Sequence, residues 1–252
     1  DLIIIDDLEK FNIEEVYKDG ILVAKEKQPL FKTDKNNFSK VMKTINCSKI
    51  NENDIQIYFK KEIGEEKVNI ITLQPYSLIT KKEKEVVEIK NNKFQFNKNK
   101  DILKLAVIER HKNTGNIGIV LVKNFKLYNG AIATSISHDS HNIIVVGDND
   151  KDIVNAVNKV IDMDGGIAIS SSNQILESLT LNIGGLMNDK DIEYVNYKFE
   201  KLMDIAYNKL KISKDIDPFL TLSFLALPVI PEIKLTDKGL FDVQKFEFID
   251  LI

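Results

Sequence analysis

Between residues 54 and 147 one pattern recurs: short runs of Ile, Val and Leu separated by Lys, Asp, Asn and Gly. The runs are DIQIYF (54–59), KVNIITL (67–73), EVVEI (85–89), KFQF (93–96), DILKLAVIER (101–110), IGIVLVKNF (117–125), GAIATSIS (130–137) and NIIVVG (142–147). β-Branched residues pack well on a pleated surface, so each run predicts a strand. So many strands in succession commit this stretch to an antiparallel or mixed sheet.

Two segments break the pattern. After Asn149-Asp150, which offer capping oxygens, KDIVNAVNKVIDM places Ile153, Val157, Val160 and Ile161 on one helical face, and Gly165-Gly166 ends it. A second helix follows from Ile192, Val195, Phe199, Leu202, Ala206 and Leu210 at 3-4 spacing. Between the helices, GIAISS and QILESLTL predict a hairpin about Ser172-Asn173. The tail from Asp217 is apolar with Pro218, Pro228 and Pro231, and is expected to run as extended segments with no helix. The fold class expected is therefore α+β, with mixed or antiparallel sheets and two main helices at about 150–164 and 190–211.

At the N-terminus, residues 1–25 read as three short strands, with Asp19-Gly20 at a hairpin tip suited to a type I′ turn. Three strands bury too little to stand alone, so they are expected to complete a sheet begun elsewhere. The chain opens on Asp1 directly inside Leu2-Ile3-Ile4-Ile5, which suggests a piece of a longer protein. Pro29 and the polar KTDKNNFSK suggest a linker, with a strand or short turn near 38–45, and a division into 1–28 and 29–252. A further subdivision near residue 100 stays open.

The bulk properties exclude more than they assign. With 43% hydrophobic and 29% charged residues the chain is globular, and its net charge of −3 implies no affinity for nucleic acid or anionic membrane. The single cysteine, Cys47, permits neither an internal disulfide nor a thiolate zinc cage. No apolar run is long enough to cross a bilayer and no basic segment precedes DLIII, so a cytoplasmic location is expected.

Titratable groups crowd two loops. ISHDSHN places His138, Asp139, His141 and Asn142 between two predicted strands, and VIERHKNTG places Glu109, Arg110 and His111 at the end of another. His138 and His141 lack the helix and the glutamate of the helical zinc motif. A polar turn and a ligand loop remain open for 138–142, since loops on a rigid scaffold commonly carry ligand groups. Glu109 and Arg110 read as an ion pair at a strand end, or as groups orienting His111. The Gly115/Gly118 spacing is followed by a strand where a phosphate cradle needs a helix, Gly165-Gly166 ends a helix instead of starting one, and no G-x-S-x-G is present.

Several long blocks carry a resemblance: LKLAVIERHKNTGNIGIVLVKNF, GAIATSISHDSHNIIVVGDNDKDIVNAVNKVIDMDGGIAI, LNIGGLMND and DPFLTLSFLALPVIPEIKLTDKGLFDVQKFEFIDL. In this order they resemble the C-terminal part of bacterial adenine deaminases of the amidohydrolase superfamily, from about residue 67 to the end. Residues 1–28 are similar to the end of that family's composite β-sandwich, and residues 30–66 match weakly. The resemblance implies a hydrolase of purine metabolism that converts adenine and water to hypoxanthine and ammonia. It implies a (β/α)8 barrel, absent from this chain, that holds manganese or iron through a His-x-His and further ligands. This chain has no His-x-His, so no metal is expected in it and it is expected to be inactive alone, with the missing N-terminal barrel as its partner. The loops bearing Glu109, Arg110, His111, His138, Asp139, His141 and Asn142 are then expected to face the barrel mouth as substrate-loop residues, with no catalytic residue or metal ligand assigned. The chain departs from the family at Lys112-Asn113, Asn124 and Lys126, where glycines are common. Asn tolerates the left-handed region; Lys126 does so less readily. Two further readings stand beside this one: an accessory or homo-oligomerisation module supporting the barrel, and a stand-alone purine- or metal-binding protein using the three histidines.

Overall fold

The structure, a computed structural model, describes residues 1–32 and 37–252, so residues 33–36 of the proposed linker KTDKNNFSK lie outside the described residues. The chain divides into two compact units, Asp1–Lys40 and Val41–Ile252. In the first, strands β1 (Leu2–Ile5), β2 (Ile13–Lys18), β3 (Ile21–Lys25) and β4 (Gln28–Pro29) form an antiparallel sheet in sequence order. Asp19 and Gly20 both have positive φ, 52° and 75°, as a type I′ hairpin requires. The sheet leaves Leu2, Ile3, Ile4, Ile13 and Ile21 exposed.

The second unit is built on one nine-stranded sheet. Its strands are β5 (Ile63–Leu73), β6 (Thr80–Lys90), β7 (Lys93–Gln95), β8 (Ile102–Ile108), β9 (Ile117–Lys123), β10 (Ala131–Thr134), β11 (Ile143–Gly147), β12 (Gly166–Ser171) and β13 (Gln174–Thr180). Their order is β13-β12-β10-β11-β8-β9-β5-β6-β7, antiparallel throughout except at β5–β9. The strands at its centre are apolar on both faces because both faces are covered. On one side α1 (Asp150–Asp162) lays Ile153, Val157 and Val160 against Ala106, Ile108, Ala131, Ala133 and Val145. The small alanines let the helix sit close to the sheet. Lys104 shares that face and reaches Asp150 at the helix start, 2.5 Å away.

On the other side lie α2 (Ile192–Asp204), which continues as a wider turn over Ile205–Lys209, and α3 (Pro218–Phe224). Leu202, Ala206, Leu210, Phe219 and Leu222 pack there with Leu103, Leu105, Val107, Val120, Val122, Ile132 and Ile144. The tail then forms β14 (Ile233–Thr236), β15 (Gly239–Asp242) and β16 (Glu247–Phe248), an antiparallel sheet whose first two strands add Ile233, Leu235 and Leu240 to the same core. No strands close into a barrel among the described residues, and the architecture is α+β.

Two expectations are corrected, at 54–59 and in the tail. The run at 54–59 is no strand: a 3-10 turn covers Glu52–Ile55, because Asn51 and Asp54 form a reciprocal capping box that outcompetes extension. Only Tyr58 makes a bridge there, to Lys93. Of the strand or short turn left open for 38–45, the structure forms the turn, a 3-10 turn at Ser39–Val41. The tail does contain a helix, α3: Asp217 caps it and Pro218 occupies its first turn, where the missing N–H costs nothing.

Asn113, Asn124 and Lys126 all adopt positive φ, 52°, 72° and 55°. At Lys126 the backbone N–H bonds both oxygens of Asp101, at 2.9 and 3.1 Å, which holds the turn. Burial pushes the Asp101 carboxyl up to about 6. The glycine rejected as part of a phosphate cradle, Gly118, has a packing reason: a Cβ there would lie 1.9 Å from the Thr236 carbonyl oxygen. It lets the β14–β15 hairpin close down on β9.

Candidate functional site

Sheet register gathers the two loops singled out by their chemistry. Ile108 pairs with both Ile143 and Ile117, so the loop after β8 (109–116) and the loop before β11 (135–142) emerge at one end of the sheet. The approach of Thr236 to Gly118 brings the β14–β15 turn to the same end. All seven sequence candidates therefore lie together, although they do different things.

Glu109 and Arg110 do not form the ion pair considered from the sequence. Glu109 turns back on its own loop and accepts from the backbone N–H groups of His111 (2.5 Å), Lys112 (2.8 Å) and Thr114 (3.0 Å) and from the Thr114 hydroxyl (3.1 Å). Burial alone would raise its carboxyl, but these four donors outweigh it and hold it at about 2. Arg110 is buried with 1% exposure and points the other way. Its guanidinium donates to the carbonyls of His141 and Gly184 and to the Thr44 hydroxyl. Gly185, with φ +74°, lies against it so closely that a Cβ would come within 2.8–2.9 Å of three guanidinium atoms. Arg110 thus ties the 138–142 turn to two segments far away in sequence. Burial pulls its guanidinium pKa down, and among the described residues no carboxylate lies within ion-pair distance.

The histidines divide. His111 is exposed and its Nε2–H donates to the Ser140 carbonyl at 2.7 Å, a link between the two loops. His138 is anchored by its backbone N–H to the Ser223 carbonyl at 3.0 Å. Its ring sits 4.5 Å from the ring of Phe224 and 5.7 Å from that of His141. Neither of its nitrogens makes a hydrogen bond among the described residues; the nearest charge is Asp139, 3.9 Å from Nδ1 and 84% exposed. His141 has a positive φ of 50°. Burial first, and then His138 and Arg110, push its imidazole pKa down, which favours the neutral ring. Its Nδ1 is buried with no partner, and so is the hydroxyl of Ser137 in the same turn. A buried polar atom without a partner costs about 1–3 kcal/mol, so a water or ligand atom that reached either one would stabilise the turn.

Asn142 is buried; its Oδ1 accepts from the Arg110 N–H at 3.4 Å and its Nδ2 donates to Asp237 at 3.4 Å. Asp237 also takes the Asn116 amide at 3.2 Å. Sequence reasoning missed Asp237, Asn116 and Ser137. Asp237 looks like an ordinary turn former in LTDKG, and only the Gly118 contact brings it to this end of the sheet. Among the described residues no three His, Cys, Asp or Glu side chains converge on a point where they could hold a metal ion. The arrangement can hold a polar ligand by hydrogen bonds from neutral imidazole, hydroxyl and carboxamide groups on a braced frame.

The family model described as the adenine deaminase C-terminal domain matches residues 77–247. The chain is 44% identical over 250 residues to an adenine deaminase of Clostridium acetobutylicum, covering 99% of this chain and 43% of that protein. It is 42% identical to an adenine deaminase of Halalkalibacterium halodurans and 41% identical to adenine deaminase 2 of Carboxydothermus hydrogenoformans, again over 99% of its own length. It spans 42–43% of the length of these relatives.

Proposed function

Because this chain belongs to the adenine deaminase C-terminal domain family, we propose that it acts as the C-terminal portion of a metal-dependent hydrolase converting adenine and water to hypoxanthine and ammonia. The metal, manganese or iron, would activate the attacking water. Among the described residues no cluster of three His, Cys, Asp or Glu side chains could hold such an ion, and in this proposal the metal belongs to a separate barrel domain, the chain's partner. What the chain contributes is a frame for the substrate. Arg110 and Glu109 fix the backbones of the two loops, His111 links them, and Asn142 is pinned between Arg110 and Asp237. The turn from Ser137 to Asn142 then offers His138, a neutral His141 and the Ser137 hydroxyl to the purine edge. The observation that supports this role is the pair of unpartnered buried atoms, His141 Nδ1 and Ser137 Oγ. Asp139, its side chain 84% exposed, takes its place at the rim.

The reaction and the loop are tested together in the longer protein of which this chain is the C-terminal part. Adenine deamination in the presence of manganese is expected from that protein and not from this chain alone. His141→Ala and His138→Ala are expected to raise KM for adenine about tenfold or more, the loss of one hydrogen bond to a charged or polar partner. Unchanged KM and turnover in both variants would remove the loop from the active site.

A second reading has one observation in its favour. The exposed Leu2, Ile3, Ile4, Ile13 and Ile21 of the small sheet suit an accessory or oligomerisation role beside other parts of the protein. No helix among the described residues is long and apolar enough to cross a membrane. A cytoplasmic setting remains part of the proposal.

A further inference from the structure

Below the His138 turn lies a cavity whose lining, apart from His138 itself, the loop reading does not use. It opens between the sheet, α2 and α3, with a volume of about 280 Å³, close to the lower bound of small-molecule sites. Ile136 of the 135–142 loop, Ile167 of β12, Phe199 of α2 and Phe219 of α3 supply apolar walls. The two phenylalanine rings stand 5.6 Å apart and tilted by 52°, so the walls include aromatic surface on which a flat ring can lie. Thr134, His138, Asp217 and Ser223 interrupt this lining with polar groups; the Thr134 hydroxyl accepts from Ile136 N at 3.0 Å, while His138 and Asp217 have hydrogen-bonding capacity to spare. Both nitrogens of the His138 ring lack partners among the described residues. One oxygen of Asp217 caps α3 by accepting from Phe219 N (3.0 Å) and Leu220 N (2.9 Å), and its other oxygen makes no hydrogen bond among the described residues. The Ser223 hydroxyl at the same cavity is already spent on the Leu220 carbonyl at 2.9 Å.

The chemistry of this lining is selective. Apolar and aromatic walls favour a planar ring over a sugar or a phosphate, and no lysine or arginine lines the cavity. A carboxylate oxygen with a free lone pair asks for an N–H donor, such as an exocyclic amine or ring N–H. An imidazole can meet the other edge as donor or acceptor, according to its tautomer. The volume suits a bare base and leaves little room for a nucleotide.

We propose that the cavity walled by Phe199, Phe219 and His138 and edged by Asp217 is a second purine-base site, carried by the C-terminal domain itself and independent of the metal. The choice of a purine among planar amino-bearing heterocycles rests on the adenine chemistry proposed above. The ring lies against the aromatic surface of Phe199 and Phe219, its N–H donors meet the free oxygen of Asp217, and His138 receives the opposite edge. Because His138 also belongs to the loop at the sheet end, occupancy here is felt by that loop.

The test is a calorimetric titration of the 252-residue chain with adenine, hypoxanthine and indole in the presence of a metal chelator. Methyl NMR of Ile136 and Ile167 locates the ligand. One-to-one binding of a purine is expected, with shifts at both methyls and weaker binding of indole, which has no exocyclic amine. Asp217→Asn keeps a good capping residue but loses the charge, and is expected to weaken adenine about tenfold. Leu220→Trp fills the half-exposed mouth and is expected to abolish binding without lowering Tm. If that variant proves unstable, Asp217→Asn and the methyl shifts decide. No binding of either purine at millimolar concentration overturns the inference. So does binding that ignores Asp217→Asn, or indole binding as tightly as adenine, which would leave only an unselective apolar pocket. The readout needs neither metal nor turnover. Deamination by the longer protein without binding here removes this site and spares the proposed function, and binding here without deamination does the reverse.

Discussion

Replacing Lys234 with Met should stabilise the protein at neutral pH and destabilise it at alkaline pH. Lys234 lies on β14 with 0% exposure, and among the described residues its ammonium has one acceptor, the Leu78 carbonyl at 2.9 Å. Burial lowers its pKa from the ordinary 10.5 to about 8. That difference corresponds to about 3 kcal/mol against folding wherever the unfolded chain carries the proton. The sign follows from proton counts. Between pH 8 and 10.5 the unfolded state binds more protons, so wild-type stability from this group rises with pH through that window, and the cost stands in full below pH 8. Methionine keeps the unbranched stem without the charge, but leaves the Leu78 carbonyl without its donor at a cost of about 1–2 kcal/mol. The net expectation for Lys234→Met is a gain of about 1–2 kcal/mol at pH 7, turning to a loss of about 1–2 kcal/mol near pH 10.5. Urea unfolding followed by circular dichroism at both pH values measures it. A variant less stable than wild type at pH 7, or a difference that does not change with pH, would refute the buried-charge argument.

Other perturbations probe the frame of the candidate site. Glu109→Gln should weaken the 109–116 loop and flatten the acid limb of the stability curve between about 4.5 and 2, since a depressed carboxyl stabilises above its unfolded pKa and loses that as it protonates. Unfolding at pH 6 and pH 3 should show the variant's deficit shrink from about 2 kcal/mol toward zero. Arg110→Met strands the acceptors at His141, Gly184 and Thr44 and should cost about 3 kcal/mol, with Arg110→Lys recovering only part because it lacks the planar fork; thermal unfolding of the two variants checks this. Gly185→Ala forces a Cβ against the guanidinium at a φ of +74° and should cost about 1–3 kcal/mol in equilibrium unfolding. A neutral result there would mean that Arg110 is not held as tightly as its contacts imply.

Much of the fold was legible because periodicity and end signals are local. The β8 run ILKLAVI, the Asn149 cap and the Asp19-Gly20 turn each specify their own conformation within a few residues. The failures are local signals outvoted by neighbours. DIQIYF alternates like a strand, but Asn51 and Asp54 closed a capping box across its start. Pro218 looked like a helix breaker until Asp217 placed it in a first turn, where proline is welcome. The Glu109-Arg110 pair looked mutual because the residues are adjacent. On an extended strand end, successive side chains point to opposite sides, so each found its own partners.

By itself the sequence determined most strands of the nine-stranded sheet, the two long helices, the family and the loops that carry the titratable groups. Each of these is written in short-range pattern or in extended blocks of matching residues. Tertiary structure alone decided what those groups can do. The strand order puts Ile143 beside Ile108 and so sets two loops side by side, and the close backbone approach that Gly118 allows, where a Cβ would clash, adds Asp237 from more than a hundred residues away. Burial then sets the chemistry, lowering the pKa of His141, stripping Lys234 of counterions and leaving His141 Nδ1 without a partner. Desolvation and long-range pairing depend on which surfaces meet, and no window of the sequence contains that information.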